Sequence, residues 1–180
     1  RLLGPEFPDF LKIVASNNKF INILGIAETQ IQQAYAEEML LRYLAIKNNY
    51  KNFEHDVSPF LDEYMKEVSA GQNIFDYNAE KELFENVIEI LDKTHDKKRI
   101  FRSRKDDRKA QGPFSSTIYE AVMYGVAKNV STLKSKSGKE VENKIIDFVL
   151  EAKVLSFIGQ GSNTVKKFIG RIELAEQKIK

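Results

Sequence analysis

Apolar residues recur at every third or fourth position through most of this chain, and that spacing constrains the fold more than any other feature. It is cleanest between Ala79 and Lys93. There Leu83, Phe84, Val87, Ile88 and Leu91 share one helical face, and Glu82, Glu85, Glu89 and Asp92 lie opposite. A longer helix is predicted over Glu28–Lys47, where Ile31, Ala34, Tyr35, Met39, Leu41, Tyr43, Leu44 and Ile46 cover more than one stripe. Such a helix belongs near the centre of a core. No stretch alternates with the period of two that a half-buried strand requires.

Punctuation residues divide the rest into helices. Pro8 and Asp9 open a short helix to Ala15, stopped by Asn17-Asn18, and Gly25 closes a further turn or two around Phe20, Ile23 and Leu24. Ser58-Pro59 reads as a cap and first turn for a helix to Val68 that Gly71 ends. Asn78 reads as the cap of the 79–93 helix, and Thr117 with Glu120 has capping-box spacing for a helix to Lys128. The inner face of that helix is expected at Tyr119, Val122, Met123 and Val126. After a polar turn at Ser135–Lys139, Val141, Ile145, Phe148, Val149 and Ala152 mark another helix. Ser162 or Asn163 is the expected cap of a last one carrying Val165, Phe168, Ile169, Ile172 and Ile179. The expected fold is all-α, an irregular bundle of about seven to eight helices in a single domain over residues 1–180.

With 180 residues, 42% of them apolar, the chain can bury a core without cross-links. It has no cysteine, which excludes disulfides and thiolate metal sites and fits a cytoplasmic, reducing setting. The longest apolar run, Val154-Leu155-Ser156-Phe157-Ile158, falls far short of the ~20 residues of a membrane span. No membrane partner is expected. The two histidines, His55 and His95, lack ligand-spaced neighbours, so no metal is expected. Gly159-x-Gly161 and Gly138-Lys139-Glu140 match neither a dinucleotide fingerprint nor a phosphate loop and read as turns. No cofactor is expected in this chain. Most aromatic residues fall on apolar faces, and Tyr50, Phe53, Phe75 and Tyr77 lie nearer loops.

Charge is the one uneven property. Lys97, Lys98, Arg99, Arg102, Arg104, Lys105, Arg108 and Lys109 face only Asp106 and Asp107, a local net of +6 in a chain whose total is +2. Two readings stand for this segment. Clustered Lys and Arg can neutralise nucleic-acid phosphates, with Arg102 and Arg104 able to make bidentate contacts; or the segment is a solvated loop that touches nothing.

Glu38-Met39-Leu40-Leu41-Arg42-Tyr43-Leu44-Ala45, then Tyr50, Phe60-Leu61-Asp62-Glu63-Tyr64-Met65 and Ile100-Phe101-Arg102 follow one another in an order that resembles the helical C-terminal half of the GmrS-type, ParB/sulfiredoxin-like domain. That domain occurs in modification-dependent restriction and anti-phage proteins. The resemblance covers residues 7–128, and 129–180 add further helices. It implies structural roles for Glu38, Arg42, Phe60, Tyr64 and Phe101, with Phe101 packing inward and Arg42 partly buried and bracing an N-terminal half. The family's chemistry resides in that half, in an Asp-Gly-Gln-Gln-Arg type motif, and these 180 residues contain no such motif. A chain that begins at Arg1 and lacks it is expected to be a fragment of a larger protein. NTP and Mg²⁺ are implied only for the other half. The implied function is the non-catalytic, helical portion of a nucleotide-dependent defence protein, whose partners are the nucleotide-handling half or a nuclease, and DNA. The alternative from a different class is a stand-alone helical interaction or regulatory protein.

Overall fold

The structure, a computed structural model, describes residues 6–25, 30–54, 56–159, 161–162 and 164–180, with the side chains of the long helix described from Gln33 onward. The expected helix start at Glu28, the Ile31 side chain, His55 and the Asn163 cap lie outside the described residues. The described residues form nine α-helices, two short 3-10 turns and one small hairpin. The all-α expectation therefore holds, with a two-stranded exception.

The helices are α1 (Glu6–Ala15), α2 (Asn18–Leu24), α3 (Gln30–Asn49), α4 (Val57–Ser69), α5 (Tyr77–Asp92), α6 (Ser116–Lys128), α7 (Val130–Leu133), α8 (Gly138–Val154) and α9 (Val165–Lys178). Between α5 and α6 lie a 3-10 turn (Lys97–Arg99) and the antiparallel strands β1 (Arg102–Arg104) and β2 (Ala110–Phe114). Sequence periodicity misses these strands for a physical reason. β1 has only the three residues Arg-Ser-Arg, β2 is Ala-Gln-Gly-Pro-Phe, and a bulge interrupts the register between Arg102 and Ser103, so no apolar alternation develops.

The most enclosed element is α6, not α3. Every residue from Ile118 to Ala127 is buried, on all sides of the helix, where one inner face was expected. α3 packs on its one side, α5 on another and α9 on a third. α9 comes closest at Gly125, where a Cβ would lie 2.8 Å from the Ala175 carbonyl oxygen, so only glycine permits this approach. α3 buries Tyr43, Leu44, Ala45 and Ile46 in succession and is multi-sided as expected. Its other neighbours are α1 and α4. In α5, Val87, Ile88 and Leu91 are buried as the stripe implies, Leu83 is half-buried, and Ile90 is buried as well.

Several caps fall elsewhere than expected. Asp76, not Asn78, accepts the first backbone N–H groups of α5. Ser115 caps α6. Glu120 is unavailable as a capping-box partner because its carboxylate is buried among arginines. Asp56, not Ser58, precedes α4, with no side-chain cap bond, which leaves Pro59 inside the first turn. Thr164, not Ser162, caps α9. A reciprocal capping box at Ser137 and Glu140 opens α8. Each of these starts has two or more cap-competent polar residues in reach, and local sequence does not rank them. Gly25 closes α2 as read, in the left-handed conformation, and Asn17, read only as the stop of α1, also caps α2 through its side chain.

Candidate functional site

Two groups of charged residues stand out, and they lie in opposite environments. The first is a buried chain of ion pairs that crosses the core. Arg42 on α3 directs Nε (3.0 Å) and Nη2 (2.8 Å) to Glu38 Oε1 and Nη1 to Glu120 Oε1 at 2.9 Å. The other Glu120 oxygen, Oε2, accepts from Arg171 Nη2 of α9 at 3.1 Å. Arg171 Nη1 donates to the Ser162 carbonyl at 2.9 Å, and its guanidinium lies 4.7 Å from the Phe168 ring centre. Glu120 is 2% exposed and Arg171 1%. One carboxylate thus holds two arginines from two helices, tying α3, α6 and α9 at a single residue, and Arg171 extends the tie to the 161–162 loop.

Burial opposes the charge at both arginines, with different outcomes. Burial lowers the Arg171 pKa from its ordinary value, and Glu120 only partly restores it. Burial also pulls on Arg42, but the Glu38 hydrogen bonds and the Glu120 charge outweigh it, and its pKa is raised. Both guanidinium groups remain charged, because arginine titrates far above neutrality. Sequence spacing offered Glu38–Arg42 as an i, i+4 pair. Glu120 and Arg171, the centre of the network, were missed, and no local pattern marks them: a Glu in the first turns of a helix looks like a cap residue. The Arg42 guanidinium is engaged inside this chain on α3 and α6.

The other residues of the resemblance also sit inside. Phe60 and Tyr64 are buried on α4, and the Tyr64 hydroxyl accepts from Asn48 Nδ2 at 2.8 Å. Phe101 is 2% exposed and meets Tyr119 and Phe114 edge-on at ring-centre distances of 5.0 and 5.8 Å. Met39 and Tyr119 join α3 to α6 through a hydroxyl-to-carbonyl bond of 2.8 Å.

The second group is the basic segment, and the structure splits it. Arg104 is turned inward and 1% exposed. Its Nη2 donates to the Arg99 carbonyl at 3.0 Å and its Nη1 lies 3.6 Å from Asp96 Oδ2, so it presents no cation to the surface. Burial lowers its pKa, against the pull of Asp96 and Glu142. Lys97 pairs with Asp92 (2.7 Å), Arg99 with Asp96 (2.8 Å), Arg108 with Asp147 of α8 (2.6 Å) and Lys109 with Asp107 (3.1 Å). Lys98, Arg102 and Lys105 form no ion pair with any described residue, and Arg102 Nη1 donates to the Gly112 carbonyl at 3.2 Å. Asp92 and Asp96 just outside the segment and Asp147 distant in the chain thus offset about half of the +6 read from sequence; Asp107 is already counted in it.

A polar cleft of about 400 Å³ opens between the end of α3 and α4, lined by Asn49, Lys51, Asn52, Phe53, Glu54, Phe60, Glu63 and Glu67. Among the described residues no three His, Asp or Glu side chains converge as metal ligands. His95 is exposed. Nor is any helix among them long and apolar enough to cross a membrane. Compared with family models, with curated proteins and with solved structures, the chain matches none.

Proposed function

We propose that this chain is the helical, non-catalytic portion of a nucleotide-dependent restriction or anti-phage defence protein of the GmrS type. In this reading it supports a nucleotide-handling half and meets DNA along the hairpin. The observation that carries the reading is where the resembling residues sit. Arg42, Phe60, Tyr64 and Phe101 are packed or ion-paired within the core, and Glu38 holds Arg42 from the helix surface. Residues of that kind serve rigidity, as a supporting module requires; Phe60 alone borders the α3–α4 cleft, and its ring carries no reacting group. DNA contact falls to Lys98, Arg102 and Lys105, the cations of the segment with no ion-pair partner among the described residues. NTP and Mg²⁺ belong to the other half in this proposal, and this chain binds neither.

The test is phosphate release by the isolated chain from a panel of nucleotides with Mg²⁺, together with plasmid cleavage. Neither activity is expected. Turnover that persists through purification, and disappears in a variant of any one residue of this chain, would overturn the proposal. A second reading, a stand-alone helical interaction protein, draws on the exposed Val154 (82%) and Leu155 (47%) at the end of α8. Under that reading the chain recovers no nucleotide-dependent activity when the nucleotide-handling half is supplied in trans.

A further inference from the structure

The hairpin is held in two unlike ways along its length. Its base is anchored in the core: Phe101 packs on Tyr119, Phe114 on Phe101 and Tyr35, and Arg104 is buried. Its tip, residues 105–110, has no buried residue at all. The tip is closed by Lys105 N–H to the Lys109 carbonyl (2.9 Å) and Arg108 N–H to the Lys105 carbonyl (2.9 Å), with Arg108 at φ 69°. What joins it to the rest of the molecule is a pair of exposed ion pairs to α8. Arg108 Nη1 meets Asp147 at 2.6 Å, with Nη2 at 3.3 Å from Asn143, and Lys153 Nζ lies 3.5 Å from Asp106. All four charged side chains are 43% exposed or more. Under the tip is a mostly apolar cavity of about 410 Å³ lined by Asp106, Leu150, Lys153 and Val154.

We propose that residues 105–110 form an electrostatic clasp on α8, which opens when a phosphate backbone or salt competes for its ion pairs. Closed, Arg108 is neutralised by Asp147. Open, Arg108 joins Lys105, which has no ion-pair partner among the described residues, as a free cation. The energetics favour such a balance. Exposed pairs contribute little each and are screened by salt, and no apolar burial at the tip adds to them. Coupling is reciprocal: a polyanion that takes Arg108 from Asp147 opens the clasp, and any change that opens the clasp strengthens polyanion binding. The clasp itself follows from the hairpin geometry alone; its polyanion trigger rests on the DNA reading above.

Amide hydrogen exchange on the whole chain tests the clasp. Raising NaCl from 50 mM to 1 M should speed exchange at Lys105, Arg108 and Lys109 by roughly two- to thirty-fold, the range set by two exposed pairs. Amides of α6 should stay unchanged. Asp147→Lys should give the same acceleration at 50 mM NaCl, and adding Arg108→Asp should reverse it. Tip exchange that is indifferent to salt and to Asp147→Lys would overturn the clasp, whether or not the chain binds DNA. The trigger is tested with a 20-base-pair DNA duplex at 50 mM NaCl. Asp106→Asn with Asp147→Asn should bind it severalfold more tightly than Glu63→Gln with Glu67→Gln, which changes net charge equally but lies on α4. Equal affinity of the two double variants, or tip exchange unmoved by saturating duplex, would overturn the trigger and leave the clasp standing.

Discussion

Glu120 and Asp147 are both carboxylates paired with arginine at 2.6–3.1 Å, and their surroundings give them opposite weight. Glu120 is 2% exposed and its partners come from α3 and α9, so its charge has no water to return to. The Asp147 side chain is 60% exposed, and water takes over when Arg108 leaves. Coulomb attraction at one distance is worth several times more in the dry site, yet the greater part of it offsets desolvation. The comparison teaches that short ion pairs do not carry comparable stability. The buried network joins three helices at one point, and removing Glu120 leaves Arg171 an unpaired buried charge. The surface pairs set the position of a tip that can move.

The largest expected effect comes from a charge with no partner at all. Val87 is fully buried on α5 with only apolar duty, so Val87→Asp should unfold the domain or leave it severely destabilised, a loss of ~5 kcal/mol or more by the mechanism of an unpaired buried charge. Circular dichroism melting reads it, and an unchanged melting temperature would contradict the assigned face of α5.

Next in size is Glu120→Ala, which strands Arg171 in the core and should cost ~3–5 kcal/mol in chemical denaturation. The sharper form of this experiment replaces the whole network. Arg42→Met, Glu120→Leu and Arg171→Met together should be far milder than Glu120→Ala alone, because apolar side chains of similar volume remove the desolvation cost with the charges. A triple variant as unstable as the single one would show that the network itself, not the uncompensated charge, holds the helices.

Arg104→Ala should fall between the two regimes, at ~1–3 kcal/mol, since it removes a buried side chain and its bond to the Arg99 carbonyl but leaves no buried carboxylate behind. At the small end, Asp147→Asn should change global stability by ~0.5 kcal/mol or less. Lys98→Ala with Arg102→Ala and Lys105→Ala should likewise leave the melting temperature within error. If the hairpin meets DNA, that triple variant should flatten the log–log salt dependence of binding by about one unit per lost phosphate contact. Including Arg104 in such a variant would confound binding with folding, because its side chain is structural.

Local chain chemistry by itself determined the helical class, the outward acidic face of α5, the Gly25 end of α2 and the absence of covalent cross-links. Those follow from the 3.6-residue period, from the capping chemistry of Gly and from composition, all of which act over a few residues. It also marked Glu38 and Arg42 as neighbours, since one helical turn brings them together. Only the tertiary structure decided what that pair is for. Glu120 lies 78 positions beyond Arg42 and Arg171 a further 51, and no short-range rule links them. The same holds for the basic segment. In sequence it is one block of charge. In space Arg104 is core, Arg108 is paired to α8 and Lys105 faces solvent, because the carboxylates and carbonyls that decide each fate arrive from elsewhere in the chain. Periodicity reports which face of an element is apolar. It is silent on which distant charge will meet that element in the core, and burial there decides whether a charge holds the fold together or merely decorates it.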